Sequence, residues 1–161
     1  IELHLRNLPV IATTTLVFGL LLGIAQRMGA NAGQGRALSL PLAMCIGLAQ
    51  ALAPVPGVSR SGVTITAALM LGMDRQGAAR FSFLLSIPII ASAGALKLLD
   101  LLNSGTSVDW AILGMGVLVS AVTAYLCIAL FLRLLDRVGL MPFVYYRIAL
   151  GALLYLLCAT Q

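Results

Sequence analysis

A polar segment rich in proline and glycine interrupts a long apolar stretch between residues 37 and 73. The segment, residues 54–64, reads PVPGVSRSGVT. Proline lacks a backbone donor and clashes with the preceding helical turn, so regular helical hydrogen bonding must stop here. The apolar arms, residues 39–53 and 61–73, each reach only about 20 Å as helices, whereas a bilayer core is about 30 Å thick. This pattern predicts either one broken membrane span or a helical hairpin that enters the membrane and returns.

The composition places this segment in a membrane protein. The 161 residues are 61% hydrophobic and 9% charged, and the mean hydropathy of +1.06 is far above that of ordinary soluble domains. Four further apolar runs are long enough to cross a bilayer as helices. They are residues 9–26, 81–99, 110–132 and 142–159. The formal charge of +5 is spread over short connectors and forms no contiguous basic surface, so we expect no nucleic-acid partner.

The distribution of basic residues distinguishes a broken membrane span from a helical hairpin, because Lys and Arg accumulate on the cytoplasmic side of membrane proteins. A broken span would divide the connector cations five against three. A hairpin divides them six against two, with Arg6 and Lys97 opposite the majority. The six are Arg27, Arg36, Arg75, Arg80, Arg133 and Arg137. We therefore predict an all-α integral membrane protein of one domain, residues 1–161, with four transmembrane helices and a re-entrant helix pair at residues 37–73.

The broken segment has the chemistry of an anion site. Arg60 at the centre of a bilayer would cost about 2.5–3.5 kcal/mol and needs an anionic partner. No acidic residue lies within an apolar run, so a bound anion is the natural candidate. Ser59 or Ser61 can cap a helix that begins near Gly62, and the free amides of such a helix start bind phosphate.

Two further features of the segment fit a phosphate or diphosphate. The glycines, Gly57 and Gly62, would let the backbone approach a ligand closely, and Thr64 adds a hydroxyl donor. The alternative is a capped helix whose arginine extends toward water. Gln50 either reaches this site or bonds a neighbouring helix, and the sequence leaves both open.

For the polar residues in the other apolar runs, we predict roles outside the anion site. Arg147 lies in the second turn of the last run, and we expect it to extend toward the membrane interface instead of lining the cavity. Thr13, Thr14 and Thr15 are expected to bond back to carbonyls of their own helix. The cysteines, Cys45, Cys127 and Cys158, lie within apolar runs, and no two of them have the spacing of metal ligands or of a disulfide framework. We name no metal-binding residue in this chain.

Four stretches of the chain carry a resemblance to a known family. They read PGVSRSGVT, LMLGMDR, ARFSFLLSIP and FVYYRIALG. From about residue 38 onward the chain resembles the second half of the undecaprenyl-diphosphate phosphatases, also called bacitracin-resistance proteins. The resemblance implies a bacterial inner-membrane enzyme that hydrolyses undecaprenyl diphosphate to the monophosphate and inorganic phosphate and so recycles the lipid carrier for cell-wall synthesis.

The resemblance also implies an architecture and a set of site residues. The family fold has two inverted repeats, each with a re-entrant helix pair, and this chain would be the second repeat. Catalytic roles fall on Arg60, Ser59 and Ser61. Substrate-binding roles are assigned to Gly57, Gly62, Thr64 and Gln50.

One departure from the family pattern concerns the reacting groups. The family's first half carries a motif with glutamates, a serine and a histidine, and nothing here resembles it. We expect this chain to be a fragment, with the nucleophile or base, and the ligands of any divalent cation (magnesium or calcium), in the missing half. The expected partners are a polyprenyl diphosphate lipid and the bilayer, and a homodimer is left open. A transporter or flippase for a polyprenyl phosphate is the alternative function, because broken helices in inverted repeats are typical of transporters.

Overall fold

The computed structural model describes residues 7–30, 35–103 and 109–159, and all regular structure in these ranges is helical. The helices are α1 (Leu8–Ala30), α2 (Leu40–Ala49), α3 (Arg60–Met70), α4 (Arg75–Asn103), α5 (Trp110–Val138) and α6 (Met141–Ala159), and a 3-10 turn, Gln50–Leu52, follows α2. Four of them, α1, α4, α5 and α6, are long and apolar enough to cross a membrane. The prediction of an all-α integral membrane protein with four such helices is confirmed. Arg6, one of the two minority cations, lies outside the described residues.

Two helix boundaries differ from the prediction because polar residues extend the helices. α4 begins at Arg75 instead of near residue 81. The carboxylate of Asp74 accepts a hydrogen bond from the Gly77 amide at 3.0 Å, which caps the first turn. α5 continues to Val138, six residues past the predicted end, and stops at Gly139, whose φ of 70° breaks the helix.

The core lies at the end of the molecule where α1, α3 and α5 finish and α4 and α6 start. Its largest buried side chains are aliphatic and include Ile46, Leu69, Leu135 and Leu140. At its edge, Phe131 of α5 packs against Phe83 of α4 and Phe143 of α6, with ring centroids 5.5 and 4.9 Å apart. Away from this end α4 and α5 are exposed, and no residue in the apolar window of α5 is buried.

α1 packs most extensively against α6 and next against α3. Small residues permit this close approach, as they do in other membrane bundles. An ideal Cβ on Gly19 would lie 3.1 Å from Cβ of Arg147, and one on Gly23 would lie 3.2 Å from the Val144 side chain. α1 and α6 therefore form the rigid pair beside which the broken segment lies.

The second arm of the broken segment, α3, packs along α1. At one end, Gly29 of α1 meets Leu69 of α3, and the Arg36 amide donates to the Gly72 carbonyl at 2.8 Å. At the other end, the loop between the 3-10 turn and α3 contacts Thr14. Residues 14 and 29 of a helix are about 22 Å apart along its axis, which matches the reach of each short arm. The two ends of the segment therefore meet beside the C-terminal end of α1.

Candidate functional site

The loop before α3 is held by its carbonyl groups. The Thr14 hydroxyl of α1 donates to the Pro56 carbonyl at 2.6 Å. Nη2 of Arg147, from α6, donates to the Gly57 carbonyl at 2.8 Å and to the Val58 carbonyl at 2.9 Å. Three consecutive carbonyls thus accept bonds from the rigid α1–α6 pair.

The threonines of α1 do more than the sequence predicted. Thr13 and Thr14 do bond back to carbonyls four residues earlier, at 2.7 and 2.9 Å, as expected. Thr14 also donates to the loop. For Thr15 the prediction is wrong, because its hydroxyl has no bond within its helix among the described residues and lies 3.4 Å from the Gly57 carbonyl of the loop. A single sequence cannot distinguish a threonine that bonds only within its helix from one that also reaches a loop 42 residues away.

Gly57 is required by its contact with α1. Its φ is +89°, and an ideal Cβ there would lie 2.2 Å from the Thr14 hydroxyl and 2.7 Å from the Ile11 carbonyl. Any side chain would therefore be strained and would collide with α1. Packing alone explains this glycine, and its role in substrate binding stays a prediction.

Ser59 caps α3 in an unusual backbone conformation. With φ 63° and ψ 114°, it is the only non-glycine residue with positive φ in the described part of the chain. Such a conformation costs about 1–3 kcal/mol and persists only where the surrounding structure enforces it. Its Oγ accepts from the Gly62 amide at 3.3 Å and its carbonyl accepts from the Val63 amide at 3.0 Å.

The cap changes which amides are free. α3 begins at Arg60, two residues before the predicted start near Gly62. The sequence predicted free amides at the start of this helix, but the amides of Gly62 and Val63 donate to Ser59. Among the described residues, the Arg60 and Ser61 amides at the positive end of α3 have no hydrogen-bond partner.

A cavity of about 180 Å³ lies between α3, α5 and α6. Its polar side chains are those of Ser59, Ser61, Tyr146 and Arg147, and the rest of the lining is Gly62 and the apolar Leu22, Ile65, Phe131, Leu140 and Phe143. We call it the serine cavity.

The expectation that Arg147 extends to the interface is wrong, because this side chain lines the serine cavity. Its Nη1 is buried and has no hydrogen-bond partner within the part of the chain that the structure describes. Nη1 lies 2.8 Å from the position that a Cβ on Gly62 would occupy. The sequence shows Arg147 only as a lone arginine within an apolar run. Its hydrogen-bond acceptors could not be predicted, because they are backbone carbonyls that only the fold brings near.

Arg60 and Gln50 line a second, more open cavity of about 460 Å³, which we call the arginine cavity. Neither Arg60 nor Arg147 forms an ion pair, and the one ion pair within the described residues joins exposed Lys97 and Asp100 at 3.9 Å. Five of the seven predicted site residues are therefore divided between two cavities, and Gly57 and Thr64 line neither. Two cationic side chains near the start of α3 have no anionic partner among the described residues.

Thr64 lines neither cavity. It is 1% exposed, and its hydroxyl bonds the Ser82 hydroxyl of α4 at 2.6 Å and the Arg60 carbonyl at 3.1 Å. The side chain therefore joins α3 to α4, and direct contact with a substrate stays a prediction.

The described residues do not fit a divalent cation. In residues 7–30, 35–103 and 109–159, no group of three or more His, Cys, Asp or Glu side chains is arranged to hold a metal ion. The lining of both cavities instead contains arginine, which repels cations. Among the described residues, both cavities offer anion-binding donors and neither is lined by a carboxylate.

Comparison with known proteins gives two findings. A family model described as "Bacitracin resistance protein BacA" matches residues 1–153. The chain is 57% identical over 156 residues to the undecaprenyl-diphosphatase of Teredinibacter turnerae, an alignment that covers 97% of this chain and 59% of that protein. It is 58% identical over 154 residues to the undecaprenyl-diphosphatase of Alcanivorax borkumensis, covering 96% of this chain and 58% of that protein. The chain thus spans about three-fifths of the length of these curated relatives.

Proposed function

The chain belongs to the bacitracin resistance protein BacA family, and from this we propose that the protein hydrolyses undecaprenyl diphosphate to the monophosphate and inorganic phosphate. Its role would be to recycle the lipid carrier for cell-wall synthesis. One observation in the structure carries the proposal: Arg60 and Arg147 flank the start of α3, and neither has an anionic partner within residues 7–30, 35–103 and 109–159. A diphosphate would supply the missing negative charge.

The site would act by electrostatic stabilisation. The free amides of Arg60 and Ser61 point outward from the positive end of α3, where a phosphate oxygen is favoured. Nη1 of Arg147 adds a charged donor from the serine cavity, and Arg60 adds another from the arginine cavity. Donors fixed around a phosphoryl group stabilise the charge that develops on its oxygens during transfer.

The apolar part of the serine cavity supports a lipid substrate. Ile65, Phe131 and Phe143 line the same cavity as Ser59 and Arg147. An apolar cavity of about 150 Å³ accommodates benzene, so this cavity of about 180 Å³ has room for one short hydrocarbon unit. The remainder of a polyprenyl chain would lie in the bilayer.

The reacting groups would come from elsewhere in the full-length protein. We propose that the nucleophile or general base, and the ligands of any divalent cation, magnesium or calcium, are supplied by residues outside this chain. The contribution of the described residues is to bind and orient the diphosphate, and no step here depends on a metal.

We also propose that residues 37–73 form a re-entrant pair within the second of two inverted repeats, in the bacterial inner membrane. The bond between the Arg36 amide and the Gly72 carbonyl supports this, because it joins the two ends of the segment. Cysteines introduced at Arg36 and Arg80 should then be labelled from the same side of the membrane, and one at Trp110 from the other. Labelling of Arg36→Cys and Arg80→Cys from opposite sides would contradict the hairpin. A homodimer remains part of the proposal and is tested by cross-linking.

The function is tested by Arg60→Ala in the full-length protein, with phosphate release from undecaprenyl diphosphate as the assay. Loss of one preorganised donor to a developing oxyanion lowers turnover by about 100- to 1,000-fold, and we expect a loss of this size. Arg133→Ala, an exposed arginine of α5, is the matched control and should keep normal activity. Unchanged release by Arg60→Ala would refute the proposal. Lipid movement between leaflets without phosphate release would favour the transporter.

A further inference from the structure

We propose that Thr14 is a positioning residue for the phosphate-binding loop, acting from α1 without touching the substrate. The inference rests on the function proposed above, because it assumes that the start of α3 binds the diphosphate. Its structural part, that the Thr14 hydroxyl holds the loop at the Pro56 carbonyl, can be tested without any activity.

The Thr14 hydroxyl has three acceptors within reach. Two are carbonyls of its own helix, Val10 at 2.9 Å and Ile11 at 3.1 Å, and the third is the Pro56 carbonyl at 2.6 Å. A hydroxyl has one proton to donate, and the shortest of the three distances is the one to the loop. This bond connects α1 to a segment 42 residues later in the chain.

The bond from Thr14 fixes the direction of a peptide group just before α3. Carbonyl and amide point in opposite directions across a trans peptide, and no cis peptide occurs in the described residues. With the Pro56, Gly57 and Val58 carbonyls directed toward α1 and α6, the amides of the same peptide groups are directed away from these helices. Thr14 and Arg147 thereby fix the orientation of the peptide groups that lead into α3.

The strained residue of the site comes directly after these three carbonyls. Ser59 has φ 63°, a conformation that persists only where the structure around it leaves no alternative. Arg147 holds the two peptide groups nearest Ser59, and Thr14 holds the one before them. Without the Thr14 bond, the loop can rotate at Pro56 and Gly57, and the free amides of Arg60 and Ser61 lose their fixed direction.

The neighbouring threonine provides a matched control. Thr13 donates to the Pro9 carbonyl at 2.7 Å and bonds the Tyr155 hydroxyl of α6, and it has no hydrogen bond to the described residues of the loop. Thr13→Val and Thr14→Val therefore remove the same group from the same helix, one residue apart. Only the second removes a bond to the loop.

The experiment compares Thr14→Val, Thr14→Ser and Thr13→Val in the full-length protein. We expect Thr14→Val to lower kcat for phosphate release about three- to tenfold, the range produced by losing one hydrogen bond of ordinary net strength. Thr14→Ser keeps the hydroxyl and should restore kcat to within about twofold of wild type. Hydrogen exchange of residues 57–62 should be faster in Thr14→Val and unchanged in Thr13→Val. Should Thr14→Val fail to fold, Thr14→Ala is the second variant that removes the hydroxyl.

The outcomes separate this proposal from the function it rests on. Equal kcat and equal loop exchange in Thr14→Val and Thr13→Val would overturn the positioning role. If loop exchange is faster in Thr14→Val but Arg60→Ala still releases phosphate normally, the structural role of Thr14 is supported and the proposed function is refuted. Slower catalysis together with faster loop exchange would support both.

Discussion

Replacing Gly62 with alanine separates the stability of α3 from the chemistry of the site. Gly62 lies in the first turn of α3, where alanine is the better helix former by about 1 kcal/mol. Its added methyl group would, however, lie 2.8 Å from Nη1 of Arg147 and 3.3 Å from Oγ of Ser59. A contact of 2.8 Å is shorter than van der Waals packing allows, so the guanidinium must move.

The size of the effect depends on how Arg147 is held. Its Nη2 donates to the carbonyls of Gly57 and Val58, so Nη1 cannot shift without disturbing those two bonds. A hydrogen bond to a charged group contributes about 1.5–3 kcal/mol. At about 1.36 kcal/mol for each factor of ten, losing the Nη1 contact with substrate lowers kcat/KM by about 10- to 150-fold.

The assay is steady-state phosphate release from undecaprenyl diphosphate by the full-length protein, with the melting temperature measured in parallel. Gly114→Ala is the control, because an ideal Cβ there meets nothing within 4 Å among the described residues. We expect Gly62→Ala to lose activity while its melting temperature stays within a few degrees of the control. Wild-type kcat/KM in Gly62→Ala would show that Nη1 of Arg147 makes no contact with the substrate.

The remaining predictions concern stability. Gly57→Ala places a side chain at a positive φ, which costs about 1–2 kcal/mol, and overpacks against Thr14, which costs about 1–3 kcal/mol. Its melting temperature should therefore fall well below that of Gly47→Ala, where an added Cβ has no described atom within 4 Å. Ser82→Ala leaves Thr64 with its carbonyl acceptors and should lower the free energy of unfolding by only about 0.5–1.5 kcal/mol, measured by thermal unfolding. A larger loss would mean that the bond between the two hydroxyls stabilises the packing of α3 on α4 more than one ordinary hydrogen bond does. Asp74→Ala removes the cap of α4 and should cost about 1 kcal/mol, an effect that Asp74→Asn should largely reverse.

The local features of this protein could be predicted from the sequence because they depend on neighbouring residues. Four apolar runs predicted four helices, and the prolines of residues 54–64 predicted the break between α2 and α3. Ser59 was one of two predicted caps for the helix after the break. The start of α4 and the end of α5 differ from the prediction, because the cap of Asp74 decides where α4 begins and the positive φ of Gly139 decides where α5 ends.

Only the tertiary structure decided which groups face the site. Arg147 and Thr14 are far from the loop in sequence, and their hydrogen-bond acceptors are backbone carbonyls. Because every residue has a backbone carbonyl, the amino-acid sequence does not show which of them will accept these bonds. The division of Ser59 and Arg60 between two cavities likewise depends on the direction in which each side chain leaves the start of α3. The polar segment itself determined that donors for an anion are present here, because its arginine, hydroxyls and helix start act locally. The packing of α1 and α6 determined how those donors are arranged, because contacts between distant segments exist only in the folded chain.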